Sequence, residues 1–535
     1  MAMLRWSIAC AVAAAGVLRG IRLSEQVLSG DEFHAVNVAL EWPLAQILQT
    51  WTYHGADYSV PLGALYRVLF DSGVSLSELG LRLPIAACGV AAVAVMPWML
   101  RERLGHRAAA LYAWLLALSP LLAIYSRMVR SYAPAVLLAF IAAVCFERWW
   151  STRRRSAAVG YIVCAPLALW FNLSVAPFVA APMVYGAIRT ALDSTDRLRR
   201  LRELAVLGAT ALAGVALFLL PALDSFSTLS EVHGRGGLPS AETWLEVLRM
   251  HSGSAQPLVS ALVVLGLLRG IVLSWRCDRD WLGYVASLAL LHLAGLIALG
   301  PDQLDNPIVI NRYGLVALPF GLALTARGLA EPLSPVPTRL QRIGIVGLLA
   351  AIVGTGPFAT TTFARTSFAT ASTFAYFVRD GNEVVLRDVP EFYRTLALAE
   401  DEQPVIEYPW SNLATHAIDA YQKHHGQPVL MAAPWKSLDD ERLALRQTLP
   451  ARVARYLDSH ARWLIVHQDL QREERRIRTS DPNHWMRLED RPRIWRPLQT
   501  AGPKTTRLLE RRFGEADHRS DQLAVWDLDR LRAGR

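Results

Sequence analysis

The feature that most constrains the fold is a series of apolar runs in the first 360 of the 535 residues. Each run approaches the roughly 20 residues that a helix needs to cross about 30 Å of hydrocarbon. With 53% hydrophobic and only 19% charged residues, the composition is too apolar for an ordinary soluble enzyme. The sequence therefore predicts a polytopic α-helical membrane protein with about 11 transmembrane helices. The predicted spans lie near 4–22, 84–100, 108–124, 132–150, 157–172, 173–190, 204–222, 256–275, 281–299, 311–328 and 343–359.

The distribution of arginine predicts which connectors lie inside the cell. Arginines cluster in every second connector, as the positive-inside rule requires of cytoplasmic loops. The connectors 23–83 and 223–254 are then outside, and an odd number of spans places the C-terminus outside as well. The prediction is a multi-pass protein of the inner (plasma) membrane. The clustered residues are Arg101, Arg103, Arg107, Arg153, Arg154, Arg155, Arg197, Arg199, Arg200, Arg202, Arg276, Arg279, Arg339 and Arg342.

The net charge of +9 raises the question of a nucleic-acid partner. The basic clusters follow the inside rule and lack interleaved aromatic residues, so binding to nucleic acid is disfavoured. The five cysteines, Cys10, Cys88, Cys145, Cys164 and Cys277, lie in predicted spans or a cytoplasmic connector without CxxC spacing. No disulfide framework is expected.

After about residue 360 the long apolar runs stop. Short strand-like runs at 404–408, 463–467 and 523–527 alternate with amphipathic stretches such as 440–457. This alternation predicts a soluble α/β layer. The expected organisation is a transmembrane domain over 1–360 and a C-terminal extracytoplasmic α/β domain over 361–535.

The first outer loop, 23–83, combines an acidic pair with helical periodicity. Asp31 and Glu32 follow the first span directly, and carboxylates at the edge of a membrane bundle are tolerated only beside water or a lined cavity. Apolar residues then recur at helical spacing, which predicts helices along the membrane surface. They are Val36, Leu40, Leu44, Ile47, Leu48 and Trp51. The acidic pair is the first candidate site.

Several stretches near the predicted outer ends of spans carry a family resemblance. They are Asp31-Glu32, the segment Asp57 to Leu62, the entry Glu78 to Pro84, the turn Tyr125 to Tyr132, and Asn311-Arg312-Tyr313. In these stretches the chain resembles the GT-C superfamily of integral membrane glycosyltransferases. The resembling branch includes protein O-mannosyltransferases and aminoarabinose transferases. The likeness is carried by residues 25–135, is topological from there to 360, and is weak beyond.

The resemblance implies transfer, with inversion, of a sugar from a polyprenyl-phosphate-linked donor to an extracytoplasmic hydroxyl on a lipid, glycan or protein acceptor. It implies Asp31 as the general base, since a sugar hydroxyl is a poor nucleophile at neutral pH, with Glu32 in support. Cations must neutralise the departing lipid phosphate, and the matching residues are Arg127, Arg130 and Arg312. The candidate substrate contacts are Asp57, Tyr58, Tyr125, Tyr132 and Tyr313.

The metal requirement stays open at this stage. Met128 stands where many relatives have a glutamate, so a metal that bridges two carboxylates loses one ligand. The sequence makes no cofactor certain and leaves a divalent metal as a candidate.

Other interpretations stand beside these. Asp31-Glu32 fits a helix cap, Arg127 and Arg130 fit arginines that extend to a lipid surface, and Asp57 fits the start of a turn. At the level of the whole chain, a non-catalytic membrane scaffold or a transporter of cell-envelope glycan or lipid is the alternative. A transporter should show matching halves or ionisable groups near mid-membrane, whereas the charges here gather at span ends.

Overall fold

The computed structural model describes most of the chain. The described residues are 2–21, 23, 32–53, 56–74, 78–192, 196–225, 238–254, 256–299, 304, 307–332, 336–356, 358, 389–401, 403–408, 421, 424–425, 427, 457, 461–469, 473 and 492–534. The chain separates into two compact units. The first comprises Met1–Ser24, His34–Tyr53 and Asp57–Ala364, and the second comprises Glu25–Phe33, His54–Ala56 and Arg365–Arg535.

The first unit is almost entirely helical. Its main elements, in chain order, are α1 (Ala2–Gly20), α2 (Phe33–Glu41), α3 (Leu44–Ile47), β1 (Thr52–Tyr53), β2 (Ala56–Asp57), α4 (Val60–Asp71), α5 (Glu78–Leu118), α6 (Pro120–Tyr125), α7 (Tyr132–Thr152), α8 (Arg155–Phe171), α9 (Ala176–Leu192), α10 (Arg197–Leu219), α11 (Ala241–Ser252), α12 (Pro257–Cys277), α13 (Arg279–Leu299), α14 (Pro307–Gly314), α15 (Leu318–Ala330) and α16 (Thr338–Thr355). Two 3₁₀ turns, Leu173–Val175 and Leu220–Ser225, precede α9 and follow α10.

Eight of the helices in the described part of the chain are long and apolar enough to cross a membrane. They are α1, α5, α7, α9, α10, α12, α13 and α16, and the shorter apolar helices are α8 and α15. This confirms a polytopic helical membrane protein. The 41-residue α5 covers two predicted spans, and Gly105 breaks it with a positive φ of 74° that favours glycine. Each predicted span overlaps an apolar helix, and the number of 11 stays a prediction.

Glycines set the packing of α12 against α15. A Cβ placed at Gly270 would overlap the carbonyl of Leu324, and one at Gly328 would overlap the carbonyl of Gly266. Gly266 and Gly270 form a small-xxx-small pair, the spacing that lets helix backbones in membranes approach closely. The two helices are therefore in backbone contact along this line.

Described residues of the first loop share an apolar core with Ala222 of the 3₁₀ turn after α10. Val38 of α2, Ile47 of α3, Trp51, Tyr53 and Tyr58 are buried together. Ser225 Oγ accepts a hydrogen bond of 2.9 Å from the Trp51 amide, which ties this core to the 3₁₀ turn that follows α10. The predicted helices of the first loop are therefore present as α2 and α3. Their position along a membrane surface stays a prediction.

The second unit contains a four-stranded mixed sheet. Its elements are α17 (Glu391–Ala397), β3 (Val405–Tyr408), β4 (Trp463–His467), α18 (Pro492–Phe513), β5 (His518–Arg519), β6 (Leu523–Asp527) and α19 (Leu528–Ala533). The strand order is β3-β4-β6-β5, with β3 and β4 parallel and the other pairs antiparallel. The three predicted strand-like runs coincide with β3, β4 and β6. Of the predicted helix 440–457, only Leu457 lies within the described residues.

Both faces of this sheet are covered, and β3, β4 and β6 are almost continuously buried. Leu464 and Val466 of β4, Trp526 of β6 and Leu509 of α18 belong to one apolar core. Strands that are buried on both faces are largely apolar in sequence, which explains why these short runs were recognisable.

Candidate functional site

Three buried guanidinium groups meet around the C-terminal end of α1. Arg19, in the last turn of α1, is 1% exposed, Arg127 is 2% exposed, and Arg82 is fully buried. Arg82 Nη1 donates to the carbonyl of Leu23 at 3.2 Å. Cations at a helix C-terminus are favoured because the unpaired carbonyls carry partial negative charge. This end of α1 is therefore a concentrated cationic region built into the fold.

Arg127 binds the end of α1 directly. Its Nη1 donates to three carbonyls, those of Leu18 at 3.1 Å, Arg19 at 3.2 Å and Ile21 at 2.9 Å. The arginine reaches them because α6 ends at Tyr125 and the chain turns before α7. Arg127 thus satisfies carbonyls that the helix leaves without partners. Its predicted role in binding phosphate stays untested by this geometry.

Arg19 lines a narrow cavity between α1, α5, α6 and α7. Arg19 donates to the carbonyls of Ala117 and Leu116, both at 3.3 Å, while its Nε has no hydrogen-bond partner among the described residues. The space open to a water-sized molecule is about 20 Å³, which is room for about one water. Gly89 allows the close approach here, since a Cβ on it would overlap Ser126 and reach Arg19 Nε at 3.0 Å.

The predicted tyrosines 125 and 132 lie beside each other in this region. Both are nearly fully buried, at 1% and 4% exposure, and their rings meet edge to face with centroids 5.1 Å apart. Tyr125 also lines the cavity next to Arg19. The two tyrosines therefore pack inside the protein beside Arg19 and are not exposed at its surface.

The acidic pair is only partly described. Asp31, the predicted base, lies outside the described residues. Glu32 is described, and its side chain is fully buried. A fully buried carboxylate is costly without partners, so Glu32 belongs to the structured interior and not to a solvated loop.

Asp57 and Tyr58 lie in and beside β2. The backbone of Asp57 belongs to this strand, while its side chain lies outside what the structure describes. The Tyr58 hydroxyl donates to the carbonyls of Ile47 at 2.8 Å and Thr50 at 2.9 Å, and burial raises its pKa. Tyr58 therefore anchors the segment around α3, a role in which its hydroxyl is already engaged.

The remaining predicted cations are less buried. Arg130 is half-buried, and its Nη1 lies 3.3 Å from His34 Nδ1. The Arg312 guanidinium lies over the Tyr313 ring, 5.0 Å from its centroid, and contacts the Tyr313 hydroxyl at 3.4 Å. The structure therefore pairs Arg312 with Tyr313 and places Arg130 beside a histidine of α2.

The sequence leaves a divalent metal as a candidate, without assigned ligands. Among the residues that the structure describes, no group of three or more His, Cys, Asp or Glu side chains is arranged to hold a metal ion. Asp31 lies outside that set, so the question of a divalent cation is not decided by this arrangement.

The second unit contains a buried polar cluster that the sequence interpretation missed. His467 Nε2 lies 2.5 Å from Glu407 Oε2, and His467 Nδ1 lies 2.7 Å from Glu473 Oε2. The Tyr393 hydroxyl donates to both oxygens of Glu407, at 2.7 and 3.0 Å. All four residues are at most 1% exposed. The available signal was a charged or titratable residue at the carboxyl end of each of two adjacent strand-like runs.

The two contacts of His467 require protons on both ring nitrogens if both carboxylates are ionised. Burial alone would lower the pKa of His467. The negative charges of Glu473 and Glu407 and the hydrogen bonds to both outweigh burial and raise the pKa to about 10. The imidazole is therefore a cation at neutral pH and forms a buried ion triad at the carboxyl ends of β3 and β4.

Comparison with solved structures identifies the architecture. ArnT from Cupriavidus metallidurans bound to undecaprenyl phosphate aligns with a TM-score of 0.54 at 13% sequence identity, over 97% of this chain and 97% of ArnT. The same protein in its apo state aligns over 98% of both chains, again at a TM-score of 0.54 and 13% identity. The chain has the same overall fold as ArnT.

No protein-family model and no curated protein sequence matches the chain. The likeness to ArnT therefore lies in the fold, and at 13% identity it assigns no residue roles. It confirms the predicted polytopic helical fold with a sheet-containing C-terminal unit, which is the fold expected from the resemblance of residues 25–135.

Proposed function

We propose that this protein is an integral membrane glycosyltransferase that moves a sugar from a polyprenyl-phosphate carrier to an acceptor hydroxyl, with inversion at the anomeric carbon. The observation that carries the proposal is the fold shared with ArnT, which aligns over 97% of both chains and was solved with undecaprenyl phosphate bound. The concentrated buried cations around the end of α1 support it, because the leaving group of this reaction is a lipid phosphate.

The proposed step exchanges one bond at the anomeric carbon for another. Asp31 takes the proton of the acceptor hydroxyl as its oxygen attacks the anomeric carbon, and the bond from that carbon to the phosphate oxygen breaks. The electron pair of this bond leaves with the polyprenyl phosphate. Attack from the face opposite the leaving group inverts the anomeric configuration. Glu32 supports Asp31 from the adjacent position in the chain.

Arg130 is the cation that best fits direct contact with the phosphate. Arg130 is half-buried, whereas Arg127 is 2% exposed and its Nη1 donates to three carbonyls. Bidentate guanidinium geometry suits phosphate oxygens. Arg312, beside Tyr313, is proposed as a second phosphate contact. The four tyrosines and Asp57 are proposed to shape the region in which donor and acceptor meet.

The experiment measures release of free polyprenyl phosphate from a panel of polyprenyl-phosphate sugars. The full chain is reconstituted in nanodiscs with a membrane extract as the source of acceptors. The parent is compared with Asp31→Asn and with Asp71→Asn, a matched replacement at an exposed residue of α4 that pairs with Arg67. Expression and thermal unfolding of the three proteins are measured in parallel.

Turnover in the parent and in Asp71→Asn, with loss in Asp31→Asn, supports both the reaction and the base. Equal turnover in all three proteins would leave the transferase proposal standing and refute Asp31 as the base. Absence of turnover with every donor, while the same extract supports a known transferase, would contradict the proposed reaction and favour the scaffold or transporter interpretation.

A further inference from the structure

Helix α18 is unusually basic for a helix of the second unit. Its sequence contains Arg493, Arg496, Lys504, Arg507, Arg511 and Arg512, against the single acid Glu510. Six basic residues and one acidic residue give the helix a net charge of +5. Neither the fold nor the proposed transfer reaction accounts for this charge.

The C-terminal half of α18 divides cleanly into two faces. Thr505, Thr506 and Leu509 are buried, and Leu509 packs in the core with Leu464 and Trp526. Gln468 Nε2 donates to Thr506 Oγ1 at 2.8 Å, so this face is fixed to the end of β4. The opposite face consists of exposed residues, namely Lys504, Arg507, Leu508, Arg511 and Arg512.

These five residues form one continuous surface, here named the cationic face. At 3.6 residues per turn they fall within an arc of about 140°. Leu508 lies inside this arc and is 44% exposed. A surface that alternates cations with an exposed leucine is amphipathic, and it is held rigidly because its other side belongs to the core of the sheet.

The cations of this face are not used in ion pairs within the described residues. Glu510, the acid of the helix, pairs with Arg519 of β5. No described carboxylate forms an ion pair with Lys504, Arg507, Arg511 or Arg512. Four cations close together repel one another, and an anionic surface placed against them would relieve this repulsion.

We propose that the cationic face of α18 docks the second unit against a membrane that contains anionic phospholipids. Lysine and arginine side chains reach headgroup phosphates, and Leu508 enters the headgroup layer, as on interfacial helices. The second unit is joined covalently to membrane-spanning helices, so the bilayer is always present at high local concentration. The inference is independent of the proposed transferase activity.

The experiment places a spin label in the cationic face of the full chain. In a background with the five native cysteines replaced by alanine, Leu508→Cys is labelled. Leu398→Cys is the matched control, because Leu398 is an exposed leucine of the same unit outside α18. Vesicles contain either phosphatidylcholine alone or phosphatidylcholine with phosphatidylglycerol. Accessibility to oxygen, which dissolves in lipid, is compared with accessibility to an aqueous nickel reagent.

Docking raises the ratio of oxygen to nickel accessibility several-fold at 508 in the phosphatidylglycerol vesicles and leaves it unchanged at 398. About 1 M salt reverses the change, since the Debye length falls to about 3 Å. Arg507→Gln lowers the equilibrium constant for docking, the population of docked units divided by that of undocked units, about fivefold. This corresponds to about 1 kcal/mol per basic residue. Arg394→Gln, at an exposed arginine of α17, leaves the docking equilibrium constant unchanged.

Three results would overturn the inference. One is the same accessibility at 508 in both kinds of vesicle. Another is protection at 508 that Arg507→Gln and high salt do not alter, which indicates protein packing. The third is protection in phosphatidylcholine vesicles only after addition of a soluble anionic polysaccharide such as heparin, which would assign the face to a glycan.

Discussion

His467 Nε2 lies 2.5 Å from Glu407 Oε2 across the parallel strands β3 and β4, although both side chains are almost completely removed from solvent. Glu473 holds the other nitrogen of the same ring. A charged group costs several kcal/mol when it leaves water, so an arrangement of this kind persists only if all of its members are present. The stability of the second unit therefore depends on His467.

Replacement of His467 by Gln is expected to destabilise the second unit by about 3–5 kcal/mol, because two buried carboxylates lose their cation. For a unit of this size the apparent unfolding midpoint falls by roughly 10 °C. The change is measured by heating the protein in detergent and monitoring unfolding through proteolysis of the C-terminal unit. His424→Gln is the control, since His424 is exposed. A midpoint for His467→Gln within error of this control would contradict the role of the triad.

The triad also predicts how stability depends on pH. The pKa of His467 is raised from 6.5 to about 10 in the folded state. Because the folded state binds the His467 proton more tightly, this proton contributes its full stabilisation below about pH 6.5. The contribution falls as the pH rises and is lost above about pH 10. The parent is therefore expected to lose stability between pH 7 and pH 10 more steeply than His467→Gln. Parallel pH dependences of the two unfolding midpoints would show that His467 does not titrate in this way.

The sequence predicted those parts of the fold that depend on local patterns. Apolar run length located the membrane helices, and short, largely apolar runs located β3, β4 and β6. The break of α5 at Gly105 lies within the basic connector 101–107 that was predicted between the spans 84–100 and 108–124. The clusters around the end of α1 and around His467 join residues far apart in the chain, such as Arg19 with Leu116 and Glu407 with His467. A single sequence shows which residues are polar but not which distant residues are brought together.

Arg127 and Arg130 are expected to differ when each is replaced by Gln. Arg127→Gln leaves three carbonyls at the end of α1 without their donor, and each unsatisfied buried group costs about 1–3 kcal/mol. Thermal stability of the membrane unit should fall. Arg130 is half-buried, and Arg130→Gln should leave the midpoint unchanged while the KM for the donor rises at least about tenfold. Equal losses of thermal stability in Arg127→Gln and Arg130→Gln would contradict the assignment of a structural role to Arg127 and of donor binding to Arg130.

Close contact between α12 and α15 depends on the absence of a side chain at Gly270. A methyl group there would overlap the carbonyl of Leu324, and a backbone carbonyl cannot move aside as a side chain does. Gly270→Ala is therefore expected to separate the two helices and to lower the free energy of unfolding by about 1–3 kcal/mol. Gly321→Ala, in α15 itself, has open space around the added methyl group and should be tolerated. Size-exclusion chromatography after a heating series compares the two variants, and equal survival of Gly270→Ala and Gly321→Ala would disprove this packing.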